Sequence, residues 1–456
     1  MMIIKSIDPS SGRINKTFRT SSFASALRIA SGVKSAYLGW KDRRLEDRAD
    51  LMLNLAGVLR DNKHRYAETM TREMGKPITQ SISEVEKCAW TAEFFAEHAE
   101  KWLWDENVEF GSERARITFQ PIGELLCVMP WNFPFWQLFR CAIPAMLAGN
   151  ACLLRHSNVV PLSALEIEEA FRLAGFPDTF KTVITDHATV DKLIKNPVIS
   201  GVSVTGSVEV GKNIAGLAGS NIKKFVLELG GSDPFVVLDD ADINFTCKNA
   251  SDSRLINSGQ SCIAAKRFIV VKDIAKEFAE RLVELMKDSK IGSPLDADTE
   301  VGPLATSQQF HTLKVQVSDA IRKGAKVECG GRAVNSPGYF FEPTVLTNVK
   351  KNMKVVNEEV FGPVASVIVV KDEEEAITVA NGTRFGLGAS VWTKDIERGE
   401  RIARKIDSGT VFINDFVRSD PRLPFGGTKE SGIGRELSRY GLLEFTNIKS
   451  IVTNKL

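Results

Sequence analysis

Two parallel α/β units and a small separate β element are the architecture this sequence predicts, and three observations carry the prediction. At 456 residues the chain is too long for one ordinary hydrophobic core. Strand-like and helix-period segments alternate along most of it, and the alternation restarts after Gly231. Two further strand-like stretches, around 115–129 and at 448–453, lie outside both alternating runs.

Taken in order, residues 43–74 set Leu45, Leu51, Leu55, Val58 and Leu59 at helical steps among charges, and 79–102 repeat that period. Residues 115–120 and 124–129 read as strands, and Pro121 and Gly123 between them predict a hairpin. A βα rhythm follows, with strands at 151–155 and 202–205 and helices at 161–174 and 207–217, as in a parallel sheet covered by helices. After Gly231 it resumes with strands at 235–238 and 267–271, helices at 242–256 and 274–289, and a later strand at 411–414. The join near 228–232 predicts a cleft between the two units. The tail at 448–453 alternates as a strand whose natural partner is the hairpin near 115–129, which points to an oligomerisation element.

Composition excludes several classes of function. Charged residues make up 25% and the net charge is +2, with no basic tail, so neither nucleic acid nor an anionic membrane is an expected partner. The stretch from Met1 to Ile7 is broken by Lys5 and has no cleavage-site pattern, and no apolar run reaches spanning length. Seven cysteines without CxxC spacing and five scattered histidines without HExxH predict free thiols in a reducing cytosol and no metal site.

Six short motifs carry candidate chemistry. Cys262 follows Asn257-Ser258-Gly259-Gln260-Ser261, a run of small polar residues that suits a presented thiol more than a buried one. Glu228 closes the apolar run Phe225-Val226-Leu227, where desolvation lifts a carboxyl toward the range of a general base. Asn132, in Pro130-Trp131-Asn132-Phe133-Pro134, is held in a stiff loop able to aim one amide donor at an oxyanion. Val204-Thr205-Gly206-Ser207 takes a strand into a helix, whose N-terminus attracts phosphate, although the segment is not GxGxxG. Glu358-Glu359-Val360-Phe361-Gly362-Pro363 offers a carboxylate for a ribose and a ring to flank another. The glycines of 424–432 allow close backbone approach. Singly, each also fits a plain structural part: an inert thiol, a salt-bridged strand end, or a tight turn.

In this order the motifs PWNFP (130–134), VTGS (204–207), LELGG (227–231), GQSC (259–262), EEVFGP (358–363) and PFGGTKESG (424–432) resemble the aldehyde dehydrogenase superfamily over nearly the whole chain. The resemblance implies an aldehyde dehydrogenase-like fold of two Rossmann-like parallel α/β domains plus a small β oligomerisation element. The implied cofactor-binding domain covers 1–102 and 122–228, the catalytic domain 229–425, and the oligomerisation element 103–121 and 426–456. Homodimers or homotetramers are implied as well. By the same resemblance Cys262 is the nucleophile, Glu228 the base for hydrolysis, and Asn132 with the Cys262 N–H the oxyanion hole. Trp131, Arg155, Ser157, Gly206, Ser207, Leu229, Glu359 and Phe361 are the implied cofactor contacts. Because members that pass the acyl group to coenzyme A generally lack the carboxylate at Glu228, a free acid is the expected product.

Two departures sharpen the expectation. Where relatives carry an acidic residue in a segment like LKPSE, this chain has Leu154-Arg155-His156-Ser157-Asn158. Losing that carboxylate removes a barrier to a 2′-phosphate, which Arg155 is suited to grip, so NADP is expected at least as readily as NAD. Arg140, eight residues after Asn132 on an apolar helix, resembles the arginine with which succinate-semialdehyde dehydrogenases bind a distal carboxylate, and Ser419 resembles their second contact. Trp136 and Gln137 complete the expected substrate lining. Lactaldehyde, glyceraldehyde or a broad range of aldehydes are the alternative substrates, and a thiol esterase is the alternative class.

Overall fold

The computed structural model describes residues 2–111 and 113–454. Two large sheets organise them. The first has six strands in the order Gly432–Ile433, Lys224–Glu228, Gly201–Thr205, Glu124–Met129, Ala151–His156, Phe180–Thr182. All are parallel except Gly432–Ile433. The second has seven, in the order Lys326–Cys329, Thr344–Thr347, Val364–Val370, Arg267–Val271, Pro234–Val237, Gly388–Trp392, Thr410–Ile413, parallel apart from the first. Glu124–Met129, Ala151–His156, Gly201–Thr205 and Arg267–Val271 are buried at every residue, which requires helices on both faces and explains their near-continuous apolar sequences.

In the six-stranded sheet the chain runs outward from Glu124–Met129 through Ala151–His156 to Phe180–Thr182. It then returns to the other side of Glu124–Met129 with Gly201–Thr205. Strand order therefore reverses between Glu124–Met129 and Gly201–Thr205, and a crevice opens beyond their carboxyl ends. The loops leaving those ends carry Trp131 and Asn132 on one side and Gly206 and Ser207 on the other.

The hairpin expected at 115–129 is not formed. Glu113–Pro121 lies in a three-stranded antiparallel sheet between Glu106–Phe110 and Thr446–Thr453, while Glu124–Met129 is a central strand of the six-stranded sheet. A proline and a glycine mark a change of direction but do not say whether the chain folds back. Here Gly123, at φ 136°, steps from one sheet to the next, and Asn150 Oδ1 accepts the N–H groups of Ile122 and Gly123 at 2.9 and 3.1 Å. The tail does pair in this region, in register from Thr446 opposite Pro121 to Thr453 opposite Arg114.

The helical pattern at 43–74 is two helices, Leu45–Asp61 and Lys63–Met74, broken at Asn62. The pattern at 79–102 is one long helix, Ile78–Leu103. Among the described residues no helix is long and apolar enough to cross a membrane, and no cluster of His, Cys, Asp or Glu has the grouping to hold a metal ion.

Candidate active site

Two cavities meet at Cys262. One, of about 690 Å³, opens along the crevice between the strand ends, and the other, of about 860 Å³, lies between the helices Ile78–Leu103 and Trp136–Leu147 and the loop at 417–425. Of the seven cysteines, all unpaired, Cys262 alone is not fully buried. The turn before it accounts for that. Asn257, Ser258 and Gly259 take left-handed φ values of 52°, 55° and 79° in succession, a costly run for the first two. A Cβ on Gly259 would stand 2.2 Å from the carbonyl carbon of Gly362, so only glycine fits. Side chains hold the turn in place. Asn257 Nδ2 donates to the Asn132 carbonyl at 2.7 Å, Arg254 Nη2 to that of Gly259 at 2.6 Å, and Lys266 Nζ to that of Cys262 at 2.6 Å.

Burial pushes the Cys262 thiol up to about 12, against the pull of the Arg140 and Lys266 cations. Beside it, Asn132 Nδ2 donates to the Gln260 carbonyl at 3.0 Å, which leaves its second N–H free for an oxyanion. Gln137, expected to line the substrate pocket, borders both cavities and also donates to Asn132 Oδ1 at 2.9 Å, fixing which way that amide faces. Glu228 ends its strand almost wholly buried and lines neither cavity. Neither of its oxygens has a hydrogen-bond partner among the described residues, and Oε1 lies where a side chain on Gly426 would stand. Burial lifts its carboxyl well above the usual range; Arg140 draws it back and Glu436 pushes it further.

Trp131, Gly206, Ser207, Leu229, Glu359 and Phe361 line the crevice together. Ser207 caps the helix Val208–Ser220 by accepting the Val210 N–H at 3.3 Å, so the positive end of that helix faces the crevice. Glu359 accepts the Gly231 N–H at 3.0 Å, and the Trp131 and Phe361 rings meet edge to face at 5.6 Å. A helix N-terminus, a carboxylate and two flat rings suit the phosphate, ribose and base of a dinucleotide. Arg155 and Ser157 stand outside the crevice, at the end of Ala151–His156. Arg155 Nη2 donates to Asn158 Oδ1 at 3.2 Å and the Thr185 carbonyl at 3.4 Å, and Nε has no partner among the described residues. This cation is therefore held by neutral groups.

The second cavity brings Trp136, Arg140 and Ser419 together. Arg140 is not a free cation. Its Nε is paired with the buried Glu436, Nη2 donates to Thr205 Oγ1 at 3.2 Å, and the guanidinium lies 4.7 Å over the Phe425 ring. Glu436 therefore matches the charge of Arg140. Arg140→Leu would leave that carboxylate buried and unpaired, at an expected cost of about 3–5 kcal/mol. A urea titration should show this loss, and Arg140→Leu combined with Glu436→Leu should recover most of it.

Sequence reading missed three supports. Glu84 accepts the N–H groups of Phe135 and Trp136, both at 2.9 Å, and so satisfies the start of the helix Trp136–Leu147. Lys76 pairs with Glu84 and lies 3.9 Å over the Phe133 ring, stiffening the Asn132 loop from beneath. Lys87 reaches Ser419. The available signal was charge on a buried helical face, since Glu84 lies one turn before the buried Cys88.

Residues 2–451 match the aldehyde dehydrogenase family. A probable succinate-semialdehyde dehydrogenase (NADP(+)) of Synechocystis sp. is 44% identical over 451 residues, covering 99% of each chain. The succinate-semialdehyde dehydrogenase (NADP(+)) of Mycobacterium avium is 42% identical over 458 residues, covering 99% of this chain and 96% of that one. The crystal structure of succinic semialdehyde dehydrogenase from Streptococcus pyogenes, in complex with NADP+ as the cofactor, superposes with a TM-score of 0.96 at 36% identity, over 98% of this chain and 99% of that one. Whole-length likeness of both sequence and fold places this chain in the aldehyde dehydrogenase family.

Proposed function

We propose that the protein oxidises succinic semialdehyde to succinate with NADP as acceptor, through a thioester on Cys262. The observation that carries this reading is the polar end of the substrate cavity, where Ser419, Trp136 and Arg140 gather in a pocket that also reaches Cys262. The names of the full-length relatives support it.

Cys262 gives its proton to solvent water in the open cavity, and its sulfur attacks the aldehyde carbon, forming a C–S bond as the carbonyl π bond opens to the oxyanion. The resulting oxyanion takes the free N–H of Asn132 and the backbone N–H of Cys262. A nicotinamide held in the crevice by Trp131, Ser207, Glu359 and Phe361 would supply the hydride acceptor, and loss of hydride from this carbon would leave Cys262 as a thioester. Glu228 then takes a proton from water, the hydroxide adds to the thioester carbon, the C–S bond breaks to release the acid, and the departing thiolate recovers the proton held by Glu228. Glu228 packs against Gly426 away from both cavities, so it must swing toward Cys262 to do this. Its raised pKa makes it a stronger base once ionised.

The cofactor reading rests on Arg155 and Asn158. With neutral hydrogen-bond partners among the described residues, Arg155 is suited to pair with a 2′-phosphate. Asn158→Asp would return a carboxylate to its side. The ratio of kcat/KM with NADP to that with NAD should then fall by about tenfold or more, the equivalent of one lost charge-assisted contact. The whole reading is tested by assaying succinic semialdehyde, lactaldehyde, glyceraldehyde and propanal with both cofactors. A higher kcat/KM for an uncharged aldehyde, or a strong preference for NAD, would overturn it.

The same reading includes a homodimer or homotetramer assembled through the three-stranded sheet, whose strands expose Val108, Phe110, Ile448 and Val452. It also includes a reducing, cytoplasmic setting, in keeping with seven unpaired cysteines.

A further inference from the structure

The charges around the far end of the substrate cavity are matched in pairs, with one exception. Arg140 is paired with Glu436, Lys76 with Glu84, Arg418 with Asp415 and Arg422 with Asp420. Lys87, which lines the cavity from the helix Ile78–Leu103, has no acidic partner among the described residues. Its Nζ donates to Ser419 Oγ at 2.9 Å and lies 4.1 Å over the Trp136 ring. A hydroxyl and a ring face hold an ammonium in place without neutralising it, and a charge so desolvated is costly unless a ligand completes it.

Ser419 points to the same ligand. Its oxygen accepts from Lys87 and also from Trp136 Nε1 at 3.0 Å, so both lone pairs are used. The remaining capacity is its own O–H, which has no acceptor among the described residues. An ammonium and a hydroxyl side by side, each lacking an acceptor or an anion, form a binding site for a carboxylate. We infer that Lys87 is the residue that reads the distal carboxylate of the substrate, with Ser419 donating the second hydrogen bond and the charge-matched Arg140 bordering the site. This rests on the proposal that the substrate is a charged aldehyde.

The site also has a pH signature. Burial lowers Lys87 to about 8; Arg140 pushes the same way, while Cys88 and Glu84 on its own helix and Asp420 on the facing loop oppose it. Lys87 is therefore charged at neutral pH and loses its charge as pH rises through about 8. Ionisation of Cys262 affects every aldehyde alike and cancels in a ratio of substrates.

The test measures kcat/KM for succinic semialdehyde and propanal with saturating NADP, from neutral pH upward, in the parent enzyme, Lys87→Met and Lys87→Arg. In the parent, the ratio favours succinic semialdehyde and declines at alkaline pH, approaching about tenfold per pH unit. Lys87→Met should lower the succinic semialdehyde value by about 30-fold or more, through KM, while propanal stays within about twofold. Lys87→Arg should keep the preference and remove its alkaline decline, because arginine does not titrate in this range. If Lys87→Met keeps the parent's preference, or weakens both aldehydes equally, the role of Lys87 is overturned while the substrate reading stands. If the parent shows no preference for the charged aldehyde, both fall. The parent's own pH profile needs no variant to fold.

Discussion

Cys262→Ala should abolish NADP reduction by any aldehyde, lowering kcat by roughly four orders of magnitude or more. The size of the effect follows from the geometry. Cys262 is the residue common to the two cavities that also carries a nucleophilic atom, and the other six cysteines are buried. No neighbouring thiol can therefore replace it. Removing one sulfur from a half-buried position leaves the turn's anchors intact, because they bind backbone carbonyls rather than the side chain. Cofactor binding, followed by fluorescence titration, should then be retained while both dehydrogenase and esterase turnover vanish. Retained dehydrogenase activity would place the chemistry elsewhere and sink the covalent route.

Glu228→Gln should separate the two halves of the reaction. Oxidation to the thioester needs no base at position 228, so rapid mixing should give a burst of about one NADPH per site. Steady-state turnover should then fall by about 10²–10⁴-fold, the usual contribution of a general base. An unchanged steady-state rate would remove Glu228 from the mechanism.

The same variant has a thermal signature whose sign can be worked out. The carboxyl is raised well above 4.5 in the folded chain and returns to about that value on unfolding. As pH rises through the unfolded value, the unfolded chain releases a proton that the folded chain keeps, so Glu228 costs stability from there upward until its folded pKa is passed. Glutamine carries no such cost. Glu228→Gln should therefore melt above the parent at neutral pH, and the gap should close in acid, where both states hold the proton. A less active but more stable variant is what a buried, unpartnered carboxyl kept for chemistry predicts.

The sequence was most readable where a motif is contiguous. Cys262, Asn132, Gly206, Ser207, Glu359 and Phe361 each lie in a short run whose residue types state a local need, and the structure gathers them around one crevice and one thiol. It was least readable where a partner comes from far along the chain. Nothing near Arg140 announces Glu436, because helical period identifies a face but not what another segment places against it. Lys87 was hidden for the same reason, since its meaning depends on Ser419 arriving from a distant loop. The false hairpin at 115–129 shows the corresponding limit for strands. Pro121 and Gly123 gave a sound turn signal, yet the fully buried run Glu124–Met129 required neighbours on both sides that only the later strands supply.

Gly259 has a mechanical consequence. Its bare α-carbon rests against the peptide joining Gly362 to Pro363, two backbones touching with no flexible side chain between them. Three residues on from Gly259 is the thiol, and on the other side Glu359 and Phe361 border the crevice. The thiol and this wall of the crevice are thus gauged from one shared datum. A displacement of one surface is therefore passed to the other, and under the proposed mechanism this contact sets how far the thiol stands from the crevice wall.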